Sequence, residues 1–333
     1  MTNLGFWKKL KTNLSRAGRG IFVLAPMADV TDAAFRRVIA KYGKPDVFWT
    51  EFVSADGLAL APEEGRKKLL RDLEYTEAER PIVAQFFTST PEHMEEAARL
   101  ARELGFDGVD INMGCPDRSI EKQGAGASLV KTPEIARELI RSAKKGAHDL
   151  PVSVKIRLGY NKDELETWLP QLLAEEPAVI TIHARTRKEM SKVSARWERI
   201  KRAVEIRDEM KSETLIFGNG DVQDVADARK KVKETGCDGV MFGRAIFGNP
   251  FLFAKKKCPE GIEGLKLRLN VLVEHTKLFE KLFKDDKNFA IMKKHFKAYV
   301  NGFPGASELR QELMETENAD DVEEVVAKFL KGE

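Results

Sequence analysis

Cysteine is scarce in this chain of 333 residues: only Cys115, Cys237 and Cys258 occur, and no two form a C-x-x-C pair. An odd, sparse set in a long chain excludes a disulfide framework and points to a reducing compartment. It also argues against a metal centre, because no second Cys or His stands at ligand spacing from any of the three. Long apolar runs are missing, which excludes a transmembrane helix. The N-terminus lacks the uninterrupted apolar segment of a secretory signal, so a cytosolic start is expected in preference to an organelle transit peptide. A large excess of either charge is missing as well. Lys and Arg number 56 against 53 Asp and Glu, a net charge of +3, which excludes a global polycation.

The charge that is present is unevenly placed. Residues 1–20 carry Lys8, Lys9, Lys11, Arg16 and Arg19 and no acid, and Leu4, Trp7, Leu10 and Leu14 suit an amphipathic basic helix there. Residues 255–297 carry twelve cations against six acids, and residues 298–333 three against nine. Such local basic zones hold phosphates without a strongly basic whole.

Eight short β-rich runs are expected at 21–28, 47–53, 81–87, 108–114, 151–158, 179–185, 214–220 and 239–245, with amphipathic helical patterns between them at 31–42, 91–104, 132–145, 163–174, 197–210 and 221–235. Strand–helix alternation repeated eight times in about 250 residues predicts an α/β fold, a (β/α)8 TIM barrel. The competing open doubly wound sheet favours a Gly-x-Gly-x-x-Gly after its first strand, and Leu24–Asp32 has none. Near 255–264 the alternation stops in a linker, and from Leu265 onward the pattern is helical. The expected organisation is a basic extension over 1–20, a barrel over 21–257 and a small all-helical domain over 262–333.

In such barrels the chemistry sits at the C-terminal ends of the strands. Those positions hold Pro26, Met27 and Ala28 on strand 1, Gln85 on strand 3 and Asn112 followed by Cys115 on strand 4. They hold Lys155 and Arg157 on strand 5, His183 and Arg185 on strand 6, Asn219, Gly220 and Asp221 on strand 7, and Gly243 and Arg244 on strand 8. Strand alternation puts Lys155 and Arg157 on one face. Glycines beside a fixed cation after strands 7 and 8 suit a phosphate, although tight turns alone also account for them. Lys155 fits a Schiff base or a cation that stabilises ligand charge. His183 in isolation is more often a satisfied core histidine. Asn112 and Gln85 are amides able to read the edge of a flat heterocycle. Most single cysteines are small hydrophobes, and Cys237 and Cys258 fit that description. Cys115 differs because it lies past a strand end, on a loop that Gly124 and Gly126 make deformable enough to close over a substrate.

Together, Ala25-Pro-Met-Ala, Asn112-Met-Gly-Cys-Pro with Gly124-Ala-Gly-Ala, Val154-Lys-Ile-Arg, Ile182-His-Ala-Arg-Thr, Gly218-Asn-Gly-Asp and Met241-Phe-Gly-Arg resemble the tRNA-dihydrouridine synthase family. His295, Tyr299, Gly302-Phe-Pro and Leu309-Arg resemble that family's helical RNA-binding domain. The resemblance implies FMN as prosthetic group, NADPH as reductant and the C5–C6 bond of a tRNA uridine as the target. It implies that Pro26, Met27, Ala28 and Gln85 line the flavin and that Lys155 and His183 hold its polar edge. Asn219, Gly220, Asp221, Gly243 and Arg244 would serve its tail and phosphate. Asn112, Arg157 and Arg185 would face the uridine, and Cys115 would be the proton donor. Lys293, Lys294 and Lys297 would grip tRNA, with Lys8, Lys9 and Lys11 as helpers. Departures from the family pattern are Asp29 where Gly is usual, Thr88 where Gly often stands, Met190 in place of an aromatic, and Asp117-Arg118-Ser119 in the loop. A cytoplasmic setting with tRNA as partner, no membrane and no obligate protein partner completes the expectation. Two alternatives stand beside it: an FMN barrel acting on a small pyrimidine-like substrate, and a tRNA-binding protein without catalysis.

Overall fold

The computed structural model describes residues 2–16, 19–256 and 258–332, so Lys257, the expected last residue of the barrel, lies outside the described residues. Eight strands form: β1 Ile21–Leu24, β2 Phe48–Ser54, β3 Ile82–Phe87, β4 Gly108–Met113, β5 Val152–Arg157, β6 Val179–His183, β7 Leu215–Asn219 and β8 Gly239–Phe242. Their order is β1-β8-β7-β6-β5-β4-β3-β2 with every pair parallel. A parallel bridge between Val23 and Val47, with the Leu24 N–H on the Val47 carbonyl at 3.4 Å, joins the two ends of the sheet. The ring therefore closes as the (β/α)8 pattern requires. Most of the expected strands overran at their C-terminal ends. Residues such as 25–28 and 243 leave the ladder there, and those departures build the mouth.

Two compact units divide the chain. The first is Met1–Ala28, Asp46–Tyr75 and Arg80–Gly243; the second is Asp29–Pro45, Thr76–Glu79 and Arg244–Glu333. In the first unit, alternation sends one set of strand residues inward. Ile21, Val23, Trp49, Val83, Val179, Leu215, Phe217 and Met241 form the apolar floor of the interior. Helix Phe6–Arg16 plugs that floor. Its Trp7 is 1% exposed and lies 5.8 Å from Trp49 and edge-on to Phe217 at 5.5 Å. Lys11 on the same helix pairs with Asp238 at 2.8 Å, just before β8. The basic N-terminal segment thus belongs to the strand-start end of the barrel, opposite the mouth.

The second unit takes the helix that follows β1, Ala33–Tyr42, into the same core as the C-terminal helices Gly261–Phe283, Ile291–Tyr299, Ala306–Glu315 and Ala319–Lys331. Asp32 caps the first of these helices on the Phe35 N–H at 2.9 Å. Arg36 and Glu79 make a fully buried ion pair at 2.7 Å. His275 and His295 meet edge-on at 4.7 Å beside Phe35, and their ring nitrogens are buried without a hydrogen-bond partner. Burial lowers both: His295 to about 3 and His275 well below its ordinary value. Both rings are neutral in the fold, whereas an unfolded histidine gains a proton below pH about 6.5. This contribution is therefore full above pH about 6.5 and is lost as pH falls through the folded values, at up to about 1.4 kcal/mol per pH unit for each ring. Chemical denaturation at pH 7.5 and 5.5 checks this. His275→Leu with His295→Leu is expected to flatten the acid-side loss, and an unchanged pH slope would show that the pair is not its source.

Candidate active site

Above the apolar floor the inward positions of β3 to β6 turn polar. Gln85, Asp110, Asn112, Ser153, Lys155, Thr181 and His183 share parity with the floor residues. Asn112 is register partner of Lys155, Lys155 of Thr181, and Arg157 of His183. Four of the sequence-expected site residues are thereby brought to adjacent strand ends.

Asn112 ends its strand by turning the chain over itself. Its Oδ1 accepts the N–H groups of Gly114 at 3.1 Å and Cys115 at 2.9 Å. Its Nδ2 donates to Gln85 Oε1 at 3.1 Å. Cys115 then sits half-buried against Phe52, Phe87, Ile120 and Ala125. Burial pushes its thiol above the ordinary value, so the sulfur is protonated at neutral pH. Cys237 is also pushed up, to about 11, but it is buried and bonds the Gly239 carbonyl as a packing residue.

The Gly-Ala-Gly segment is not the deformable flap that its composition suggests. Ala125, Gly126 and Ala127 are buried, and the Ala127 N–H bonds the Cys115 carbonyl at 2.9 Å. Gly126 has φ +63°, and a Cβ there would lie 2.7 Å from that same carbonyl. Its glycine is needed for close approach to the cysteine backbone.

Arg157 braces the mouth. Its Nε donates to the Gly114 carbonyl at 2.8 Å, and its Nη1 to the carbonyls of Thr186 and Met190 at 3.2 and 3.1 Å. Burial lowers it to about 10, which leaves it charged at neutral pH. Arg187 pairs with Glu121, tying the loop after β6 to the short helix Arg118–Lys122. Arg185 is 2% exposed; it donates to the Val193 carbonyl at 2.6 Å and to the Asp221 carboxylate. It also meets His183 Nε2 at 3.0 Å, so that nitrogen accepts and the ring proton is on Nδ1. The first unit has a cavity of about 820 Å³ here, walled by Phe52, Phe87, Cys115, Ile120, Arg187 and Met190.

The polar capacity left over at the mouth is mostly donor capacity. The Lys155 side chain makes no hydrogen bond or ion pair among the described residues. Burial, reinforced by Arg157, lowers it to about 8. Thr181 Oγ1 is buried and unbonded. Gln85 and Asn112 each keep one amide N–H. After β7, Asn219 Nδ2 holds the Met241 carbonyl at 2.8 Å, Gly220 has φ +122°, and Asp221 accepts from the Ala195 N–H at 2.8 Å. At Gly243 an added Cβ would meet only Met27 Sδ, at 3.9 Å, so open space stands over the end of β8. Pro26 is buried, Met27 half-buried and Ala28 exposed at the end of β1. Arg244 follows in the chain, starts the second unit and is exposed. Donors at the strand ends with glycines beside them fit a flat ligand lined with acceptors and bearing an anionic tail, which is the chemistry of a flavin mononucleotide.

Sequence reasoning assigned nothing to Asp110, Ser153, Thr181 or Glu121. Alternation from Asn112 finds Asp110, two residues earlier on the same face, but no local pattern joins Glu121 to Arg187, 66 residues away.

Comparison with known proteins agrees with this geometry. Solved structures with similar folds include histamine dehydrogenase from Rhizobium sp. 4-9, with TM-score 0.52 at 13% identity over 77% of this chain and 48% of that one. Another is 6-hydroxypseudooxynicotine amine oxidase from Pseudomonas geniculata N1, with TM-score 0.51 at 14% identity over 70% and 46%. At such identities they attest the barrel alone. In sequence, the chain is 41% identical over 326 residues to a probable tRNA-dihydrouridine synthase 2 of Bacillus subtilis (strain 168), covering 97% of this chain and 96% of that protein. It is 40% identical over 330 residues to a probable tRNA-dihydrouridine synthase of Staphylococcus aureus (strain MRSA252), covering 97% and 95%. The dihydrouridine synthase family model matches residues 23–332. With a barrel mouth that holds a protonated cysteine beside an unpaired lysine, and with this match over nearly its whole length, the chain belongs to the dihydrouridine synthase family.

Proposed function

We propose that this chain reduces the C5–C6 bond of uridine in tRNA, with FMN held in the barrel mouth and NADPH as the source of electrons. The observation that carries the reading is the Cys115 thiol, kept protonated by burial and fixed through its backbone to Asn112 at the mouth of the barrel. FMN held there would supply a hydride for C6 of the pyrimidine. Cys115 gives its proton to C5 and is left as a thiolate, which regains a proton from solvent. Asn112 donates its remaining N–H to a carbonyl of the pyrimidine, and Arg157 holds the loops on either side in place. Arg185 supports the same side of the site through Asp221. Lys155 supplies positive charge where reduction gathers negative charge.

Pro26, Met27 and Ala28 line the flavin, Gln85 and His183 meet its polar edge, and Asn219, Gly220, Asp221 and Gly243 take its tail. Asp221 contributes there through its backbone, because its carboxylate is engaged by Arg185. Arg244 is assigned to the phosphate by its sequence position alone. The helical unit contributes contacts to the RNA backbone. Lys294 and Lys297 are its exposed cations on helix Ile291–Tyr299, Lys294 also facing Asp29, whereas Lys293 already bonds the Met314 carbonyl. Lys8, Lys9 and Lys11 sit at the barrel floor and take no part. The setting is the cytoplasm, where tRNA is matured.

Mass spectrometry of tRNA from a strain lacking the gene tests the function. One dihydrouridine position is expected to revert to uridine and to return when the gene is restored. An unchanged set of dihydrouridines would reject it.

A further inference from the structure

Asp110 has no role in the chemistry described so far, yet it is an acid with 1% exposure inside the barrel. Its Oδ2 accepts from Gln85 Nε2 and its Oδ1 from Ser153 Oγ. Burial raises it to about 6, against the pull of those two hydrogen bonds, and it is ionised at neutral pH. The line of bonds continues outward. Gln85 Oε1 accepts from Asn112 Nδ2, and Asn112 Oδ1 accepts the N–H groups of Gly114 and Cys115.

The two ends of this line differ in kind. A carboxylate only accepts and a backbone N–H only donates. Each of the two amides between them has one donor end and one acceptor end, so only one orientation of both satisfies every bond. If Gln85 turned over, its oxygen would face the Asp110 carboxylate and its NH2 the NH2 of Asn112. If Asn112 followed, its NH2 would face two backbone donors. Buried polar groups left in that way cost about 1–3 kcal/mol each.

We propose that Asp110 is a positioning residue: as the acceptor at the inner end of the Gln85–Asn112 relay, it sets which way both amides face. It thereby fixes the backbone that carries Cys115 and the donor that Asn112 shows to substrate. What matters is the acceptor, and the charge is incidental. The proposal rests on the uridine-reductase reading only for its consequence in turnover; the placement of Cys115 is testable without any substrate.

Alkylation by iodoacetamide, followed peptide by peptide in the holoenzyme, reads that placement. Asp110→Leu removes the acceptor at similar volume and is expected to speed alkylation of Cys115 at least about tenfold, with Cys237 still protected. In Asp110→Asn the amide oxygen still accepts from Gln85, while its NH2 donates to Ser153, whose hydroxyl turns to the nearby Val109 carbonyl, 3.2 Å away. That variant is expected to stay within about threefold of wild type in alkylation. In tRNA turnover it should keep much more of the wild-type rate than Asp110→Leu, which falls sharply. Alkylation of Cys115 at the wild-type rate in Asp110→Leu overturns the proposal, and so does an Asn variant as reactive as the Leu one, because charge would then be the operative property. If Asp110→Leu does not fold, which rapid alkylation of buried Cys237 reveals, Gln85→Met breaks the same relay one link further out. It carries the same expected increase, and a wild-type rate there overturns the proposal equally. Should the alkylation pattern hold while no variant or wild type reduces tRNA, the relay stands and the assigned activity fails.

Discussion

Cys115→Ala is expected to lower reduction of tRNA uridine by about 10²–10⁴, the usual worth of a positioned general acid, while FMN content and its reduction by NADPH stay at wild-type levels. The split follows from where the residue sits. Its side chain packs among Phe52, Phe87, Ile120 and Ala125, which are apolar and offer no other proton. Its burial-raised thiol is protonated throughout the neutral range. The thiol therefore sets no limit on the wild-type rate in acid and neutral solution and contributes only the last decline at high pH, as pH rises through its own ionisation, above its ordinary value of 9.0. Rapid mixing separates the two half-reactions. Bleaching of the flavin by NADPH should be unchanged in Cys115→Ala, and the tRNA-dependent return of its colour should be almost lost. If colour returns at the wild-type rate, the proton comes from elsewhere and the assignment of Cys115 fails.

The barrel was legible because each of its eight strands is a short β-rich run between amphipathic patterns, and local chemistry punctuates them. Pro91 and Pro133 start their helices, and Asp32 caps the helix after β1. Legibility ended where distant residues decide. Helix Ala33–Tyr42 has the pattern of any barrel helix, yet its Ala34 and Val38 pack with Leu272 and Phe279 of the helical unit, which no local period reveals. The short helices Ala55–Leu60 and Glu63–Asp72 carry no legible pattern because the first spans fewer than two turns and the second buries no residue. Asp29, where glycine was expected from the resemblance, has φ +51°, a left-handed backbone that glycine adopts freely and Asp tolerates. At the site, residue types at strand ends pointed to the barrel mouth, while their hydrogen-bond duties did not follow from type. Arg157 was expected to face substrate and is engaged by three loop carbonyls. Gly126 was expected to confer motion and instead allows close packing.

Lys155 carries the second large effect. It is a lysine at the mouth with no bonded partner, flanked in register by Asn112 and Thr181, and within electrostatic reach of Asp110, Arg157 and Cys115. Burial first and Arg157 second lower it to about 8, while Asp110 and Cys115 pull the other way. Its proton is therefore held below pH about 8 and released above, so a step that needs the ammonium is fast in neutral solution and fades in alkali. Lys155→Met keeps the length and removes the charge. Loss of one preorganised charge at a site that gathers negative charge costs about 10²–10³ in rate, and that is the expected fall in tRNA-dependent turnover. The alkaline limb near pH 8 should vanish with it, leaving only the later decline set by Cys115. The midpoint potential of the bound flavin, measured by dye equilibration without tRNA, should fall in the variant, because a cation nearby favours the electron-rich form. A wild-type potential together with an intact limb near pH 8 would mean that another group titrates there and that the Lys155 charge serves only packing. A lowered potential with wild-type turnover would confine its role to the flavin and remove it from the step on uridine.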